Sequence, residues 1–188
     1  MITSTKSLQK ILSLFSFVVL LALVPSACVN IPDNVQAVQN FDSEKYLGKW
    51  YEIARLDHRF ERDLHEVTAE YSLKDNGNIN VLNQGYNIKS NKWKSAEGRG
   101  KSVGSDTEGR LKVSFFGPFY SGYNIIELDD DYQHALVIGS ETDYAWILAR
   151  EPQISEEVKN RYVQRLASIG VNTAELIWVE HNVYAPEQ

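Results

Sequence analysis

Gly48-Lys49-Trp50-Tyr51-Glu52-Ile53-Ala54-Arg55 is the stretch whose reading decides this chain, because it leads from a glycine and a tryptophan straight into a strand pattern. Outward from it, short alternating segments separated by turn signals dominate the sequence. Tyr51–Leu56, Val67–Leu73, Ile79–Gln84, Lys92–Val103, Arg110–Phe116, Tyr123–Leu128, His134–Gly139 and Tyr144–Ala149 make eight candidate strands. Asp75-Asn76-Gly77-Asn78 suits a tight turn, and Asn91, Thr107-Glu108-Gly109 and Asp129-Asp130-Asp131 punctuate other junctions. Strands at hairpin spacing, with no long helix between them, predict an all-β fold: an eight-stranded antiparallel up-and-down β-barrel. Closure removes the unpaired edges that invite aggregation. A closed barrel of this size is just wide enough to hold one small ligand.

After the eighth strand the period changes. Pro152 is followed by Ser155 as N-cap, with Glu156 and Glu157 in the first turn. Val158, Tyr162, Leu166 and Ile169 then fall on one face, and Gly170 stands at the stop. This predicts one C-terminal α-helix packed outside the barrel, followed by a short final strand over Glu175–Glu180.

Three marks occur in order: Gly48 with Trp50, then Thr142-Asp143-Tyr144, then Arg150. With them the chain, from roughly Phe41 to Val183, resembles the lipocalin family. Within it the chain is similar to the bacterial lipocalins of the outer-membrane lipoprotein type, which group with apolipoprotein D and the temperature-induced lipocalins. Residues 48–55 and Lys112-Val113-Ser114-Phe115-Phe116-Gly117-Pro118-Phe119-Tyr120 carry that narrower match. The resemblance implies that Trp50 closes the narrow end with Arg150 stacked on its ring, an arrangement that suits a guanidinium over an indole. It also implies that Thr142 and Asp143 lie in a loop near that closed end.

The resemblance points Arg150 inward, so strand alternation turns Leu148, Trp146 and Tyr144 inward as well. In the fifth strand Lys112 and Ser114 should face water, which leaves Leu111, Val113 and Phe115 to the lumen. The resemblance places Ala135, Val137 and Gly139 inside too, small enough to leave room. Such an apolar, aromatic lumen favours an acyl chain over a sugar or nucleotide. The ligand implied for the subgroup is a fatty acid or lysophospholipid, stored or transported at the cell envelope. A barrel filled by its own side chains is the competing reading.

The segment 115–120 carries four aromatics in six residues. At an open rim, Phe119 and Tyr120 would meet lipid or a second subunit in a homodimer; buried, they would be ordinary core. His58-Arg59-Phe60-Glu61-Arg62 belongs to the first loop, which crosses the mouth in the family the chain resembles. Arg55, Arg59 and Arg62 there either meet a carboxylate or phosphate head group or form a solvated charged loop.

The first 27 residues read as a signal peptide of lipoprotein type. Lys6 and Lys10 precede the apolar run Ile11 to Val24, too short for a comfortable membrane span. Ser26 and Ala27 then lead to Cys28, which would be acylated at the first mature position, giving a hold far beyond that of one acyl chain. Pro25 departs from the aliphatic residue usual three places before such a cysteine, and plain secretion with a free Cys28 is the alternative. Val29, where aspartate would retain the protein at the inner membrane, favours the periplasmic face of the outer membrane. Residues 28–40 then read as a lipid-anchored tether, polar and containing Pro32. Residues 41–183 form the lipocalin domain and 184–188 a tail.

The formal net charge is −6, and loss of Lys6 and Lys10 leaves 17 basic against 25 acidic residues. This argues against nucleic acid or an anionic lipid surface as partner. Cys28 is the sole cysteine, so stability must come from core burial, which 161 residues can supply. Enzyme motifs fail. Gly98-Arg99-Gly100-Lys101-Ser102 ends like a phosphate-binding loop, but Ser95 stands where its first glycine belongs, and the segment lies in a strand. His58, His65, His134 and His181 are scattered, and Asp129-Asp130-Asp131 lacks the other parts of a calcium loop. The expectation is a binding protein with no cofactor and no metal. The rivals are an envelope interaction protein that uses its aromatic rim and, further off, a lipocalin-type enzyme.

Overall fold

A computed structural model describes residues 29–183. Its strands are β1 Gly48–Arg55, β2 Leu64–Leu73, β3 Ile79–Asn87, β4 Lys92–Ser102, β5 Arg110–Ser114, β6 Ser121–Leu128, β7 His134–Ile138, β8 Ala145–Ala149 and β9 Ile177–Trp178. Helix α1 is the single turn Ser43–Tyr46, and α2 spans Glu156–Ser168. Each of β2 to β8 pairs antiparallel with its sequence neighbour, and β1 closes the barrel by pairing with both β8 and β2. β2 takes only the first half of β1, from Gly48 to Tyr51, while β9 pairs with Ala54 and Arg55 where the two strands part. This short final strand is narrower than the expected Glu175–Glu180, because Thr173–Glu175 winds into a 3-10 turn instead.

Alternating hairpins give the barrel two ends. One carries α1 and the β2–β3, β4–β5 and β6–β7 turns; the other carries the β1–β2 loop and the β3–β4, β5–β6 and β7–β8 turns. The tight turn at 75–78 closes with Lys74 N–H donating to the Asn78 carbonyl at 2.9 Å, and Gly77 supplies the positive φ of 76° that it requires.

Two apolar clusters share the wall between them. Inside lie Trp50, Tyr71, Ile79, Val81, Leu111, Ile125, Ala135, Val137 and Leu148, with Phe41 and Tyr46 below them. Outside, Leu136, Ile138, Ala145, Ile147 and Ala149 meet Tyr162, Leu166 and Ile169 from the α2 region. β7 and β8 are therefore covered on both faces, which is why Ala135–Ile138 reads as an unbroken apolar run. The Ser155 hydroxyl accepts the Val158 N–H at 3.3 Å, capping α2, and Gly170 ends it at φ 90°. Each large apolar side chain sealed under the helix contributes about 1.5–3 kcal/mol.

Residues 30–40, read from the sequence as a tether, lie against the barrel. Val35 and Ala37 are buried, the Val38 N–H donates to the Ile125 carbonyl at 2.9 Å, and the Phe41 N–H donates to the Thr107 carbonyl at 2.8 Å. The alternation of Val35 and Ala37 presents one apolar side to the barrel, and it is diluted by polar neighbours in the sequence. Cys28 lies outside the described residues.

Candidate functional site

At the narrow end Trp50 is fully buried, its indole N–H donating to the Tyr46 carbonyl at 2.8 Å. The Arg150 guanidinium stands 3.9 Å from the Trp50 ring centroid. It donates to the carbonyls of Tyr132, Lys49, Lys45 and Leu47 at 3.2, 2.8, 2.8 and 2.9 Å. Gly48, at φ 91°, leaves space for it, since a Cβ there would come within 3.4 Å of the guanidinium. Above this plug the Tyr46 and Tyr71 hydroxyls meet that of Tyr123 at 2.7 and 2.9 Å. Burial pushes all three phenols above their ordinary value, so they stay neutral hydrogen-bonding groups.

Thr142 and Asp143 are not part of this end. They lie in the β7–β8 turn, beside the end of β1, where the Leu56 N–H donates to the Ala145 carbonyl at 3.1 Å. A strand runs between that turn and Trp50, so the expected placement near the closed end is corrected. The tyrosine that serves the closed end is Tyr132, whose hydroxyl accepts the Asp42 N–H at 2.9 Å. It sits in the turn read as Asp129-Asp130-Asp131, where an aromatic within a polar run was the available signal.

The residues expected in the lumen come together. Leu111, Ala135, Val137 and Leu148 belong to the inner cluster, with Val113, Phe115 and Trp146 partly buried against it. Tyr144 stands higher, half exposed at the mouth and stacked on Trp146 at 6.3 Å. Ser114 does lie on the outer face but is buried there. The sequence reading missed the strand that leaves room. By register Gly100, Gly98, Ala96 and Lys94 of β4 oppose Ile79, Val81, Asn83 and Gly85. This flank presents only small side chains below Lys94, and Ala96 is exposed to the interior space. A Cβ on Gly98 would come within 2.9 Å of the Phe115 ring.

The mouth carries charge that the reading of a uniformly apolar lumen did not include. A register shift between Glu52 and Ala54 brings Arg55 opposite Trp146, on the inner face. Arg55 is therefore 1% exposed and not a rim side chain. It donates to the Glu52 carboxyl at 2.7 Å and to the carbonyls of Glu61 and Leu64 at 2.8 and 3.1 Å, holding the β1–β2 loop down. The Glu61 carboxylate turns inward, accepting the Trp146 indole N–H at 3.1 Å and lying 2.8 Å from His58 Nε2. Burial, then the Glu61 charge, pushes the Glu52 carboxyl well above the usual range despite Arg55. Burial opposes ionisation of Glu61 too, but contact with His58 and the Trp146 bond outweigh it and hold Glu61 below its ordinary value. The two carboxyls are thus pushed in opposite directions, Glu52 toward keeping its proton and Glu61 toward releasing it. Parity with Trp50 was the signal for an inward Glu52; nothing in the sequence marks the bulge.

Around the rim Arg59 is exposed at the loop tip, with its guanidinium 4.8 Å from the Phe60 ring, and Arg62 pairs with Asp57 at 2.8 Å. Phe116 and Phe119 are 71% and 67% exposed, while Tyr120 lies beneath the Arg99 and Lys112 cations. Among the described residues no three His, Cys, Asp or Glu side chains are grouped to hold a metal ion.

Residues 41–181 match the model of the lipocalin-like domain. The chain is 53% identical over 149 residues to the outer membrane lipoprotein Blc of Escherichia coli K12, covering 79% of this chain and 84% of that one. It is 44% identical over 165 residues to the protein of the same name from Vibrio cholerae, covering 87% and 96%. Among solved structures, insecticyanin from the tobacco hornworm superposes with a TM-score of 0.66 at 20% identity, over 81% of this chain and 87% of that one.

Proposed function

The chain belongs to the lipocalin family, and on that premise we propose that it binds the acyl chain of a fatty acid or lysophospholipid inside the barrel. It does so as a lipid-anchored protein on the periplasmic face of the outer membrane. The observation that carries the ligand reading is the inner wall itself. Val113, Phe115 and Trp146 are only partly covered, the Phe115 ring lies against Gly98, and Ala96, next on that face of β4, is exposed. An acyl chain laid there gains about 0.8 kcal/mol per methylene removed from water. Leu111, Ala135, Val137 and Leu148 supply the floor and far wall, and the head group remains near the Glu52, Arg55, His58 and Glu61 cluster. Arg55 already has acceptors in the loop, so it orders the mouth, and Arg59 at the loop tip is the cation that meets the head group. Acylation of Cys28 supplies the anchor, a reading supported by the names of the bacterial relatives. The proposed mechanism is sequestration by burial.

The test is a titration of residues 29–188 with oleate and with lysophosphatidylcholine, followed by tryptophan fluorescence, with Trp146→Ala alongside. Saturable quenching at micromolar ligand, weakened by the substitution, is the expected result. Absence of binding by both lipids contradicts the proposal.

A further inference from the structure

The start of the described chain leans on the open end of the barrel. The Asn30 carbonyl accepts from the Asn124 amide at 3.5 Å and lies 3.2 Å from where a Cβ on Gly122 would sit. Gly122 is the second residue of β6, just after the β5–β6 turn, and its N–H donates to the Ser140 hydroxyl of the β7–β8 turn at 3.2 Å. From there the segment descends, passing Ile125 at Val38 and reaching Thr107, at the closed end, with Phe41. Cys28 is two residues before Asn30, a reach of about 7 Å at full extension. β4, with 11 residues, spans roughly 35 Å along its own direction. An anchor on Cys28 therefore emerges beside the mouth, and its short leash cannot bring it to the other end.

The mouth is also where exposed apolar side chains gather. Phe60, Ile88, Phe116, Phe119 and Tyr144 are exposed, and each of the four mouth connections carries at least one of them. Among the described residues the opposite end shows a single large exposed apolar side chain, Leu73 where β2 ends; its turns are built from Asn76, Asp106, Glu108, Asp130 and their polar neighbours. Beside the mouth Arg62 pairs with Asp57 and Lys89 with Asp63 at 3.0 Å, and Glu141 and Asp143 stand in the β7–β8 turn, opposite in sign to Arg59, Lys92 and Lys94, so basic and acidic side chains are mixed on this face. Its apolar side chains suit the boundary between head groups and acyl chains, and Arg59 lying along Phe60 can keep its charge at the head groups while the ring goes deeper.

We infer that the open mouth is the face this protein lays on its membrane, with Phe116 and Phe119 entering the phospholipid leaflet that holds the Cys28 anchor. The inference rests on the lipid-anchor reading of Cys28. Its consequence is that an acyl chain passes from leaflet to lumen beneath the β1–β2 loop without crossing bulk water.

The full acylated protein, isolated from membranes, tests this. Cys28 is the sole native cysteine, so in the acylated chain Phe119→Cys or Leu73→Cys provides the single free thiol for a bimane label. Each labelled protein is placed in phosphatidylethanolamine–phosphatidylglycerol vesicles carrying nitroxide on the acyl chains, and the N-terminal peptide is weighed by mass spectrometry. The expected result is an acylated Cys28 and bimane quenching several-fold stronger at 119 than at 73. Equal quenching, or stronger quenching at 73, with Cys28 acylated, overturns the orientation alone. A peptide without acyl groups overturns the anchor reading and the inference with it. Protein that pairs mouth to mouth, with label 119 shielded from water yet untouched by the lipid nitroxide, also overturns it, in favour of a second copy as the occupant.

Discussion

Arg150 and Arg55 both direct guanidinium groups at backbone carbonyls, at opposite ends of the same barrel. Arg150 meets four carbonyls and the face of Trp50, all neutral and all anchored in α1, its C-cap Leu47, β1 or the β6–β7 turn. Arg55 meets the Glu52 carboxyl and the carbonyls of Glu61, within the β1–β2 loop, and Leu64, where β2 begins, and the Glu61 carboxylate of that loop lies 2.8 Å from His58. The closed end is a plug whose bonds do not depend on pH. The open end is a clasp whose charges lie where a ligand has to pass. On the proposed function, variants at the closed end act on stability and variants at the open end on binding.

The largest effect is expected from Trp50→Ala, which empties a fully buried site and removes the stacking surface of Arg150. A loss of about 3–5 kcal/mol in urea unfolding is expected. Trp146→Ala, at a half-buried position near the mouth, should cost less than half of that while weakening ligand binding more. Equal stability losses would erase the division between the ends.

A second variant sharpens it. Glu52 has a raised value in the folded state, so above the ordinary carboxylate range the folded protein keeps a proton that the unfolded chain has released. Stability contributed in this way is present below that range and falls as pH rises through the raised value. Glu61, held low, acts in the opposite sense, and its contribution disappears as pH falls through its folded value. Glu52→Gln should remove the decline on the alkaline side and leave the acid limb in place, read from urea midpoints across pH. Arg150→Met should lower stability by a similar amount at every pH, by about 2–4 kcal/mol for the carbonyls left without a donor. A pH-dependent loss in Arg150→Met would contradict the neutral character of the plug.

The smallest effect belongs between the ends. Tyr123→Phe removes the hydroxyl that joins Tyr46 to Tyr71, leaving those two groups one partner short, and should cost about 1 kcal/mol in the same unfolding measurement.

The strands were legible because their period of two is imposed by burial on one or both faces, and α2 because Ser155 and Gly170 mark its ends with side-chain chemistry. Leu111 followed from the same alternation, Leu148 from alternation once the family resemblance had oriented Arg150, and Val137 from the resemblance. Arg55 did not, because a one-residue bulge in β1 reverses parity and no residue type announces it. The buried course of residues 30–40 was hidden by composition, two small apolar side chains being enough to dock an extended segment whose backbone finds partners on β6 and the β4–β5 turn. Tyr132 and Tyr144 each follow an aspartate, and only the barrel's alternating hairpins decide which of the two turns reaches the closed end. The apolar mouth was visible in part at Phe116 and Phe119, whereas Phe60 and Ile88 are single residues on separate loops that the fold gathers.

The proposed function requires that ligand enter the inside of the barrel through its open end. Ala96 faces the interior space opposite Asn83, while the adjacent Glu97 opposes Leu82 on the outer face. Oleate titration of Ala96→Trp beside Glu97→Trp, in chains of equal thermal stability, tests that claim most directly. Loss of binding in the first with full affinity in the second is the predicted result; equal affinity in both would place the ligand outside the barrel and contradict the account.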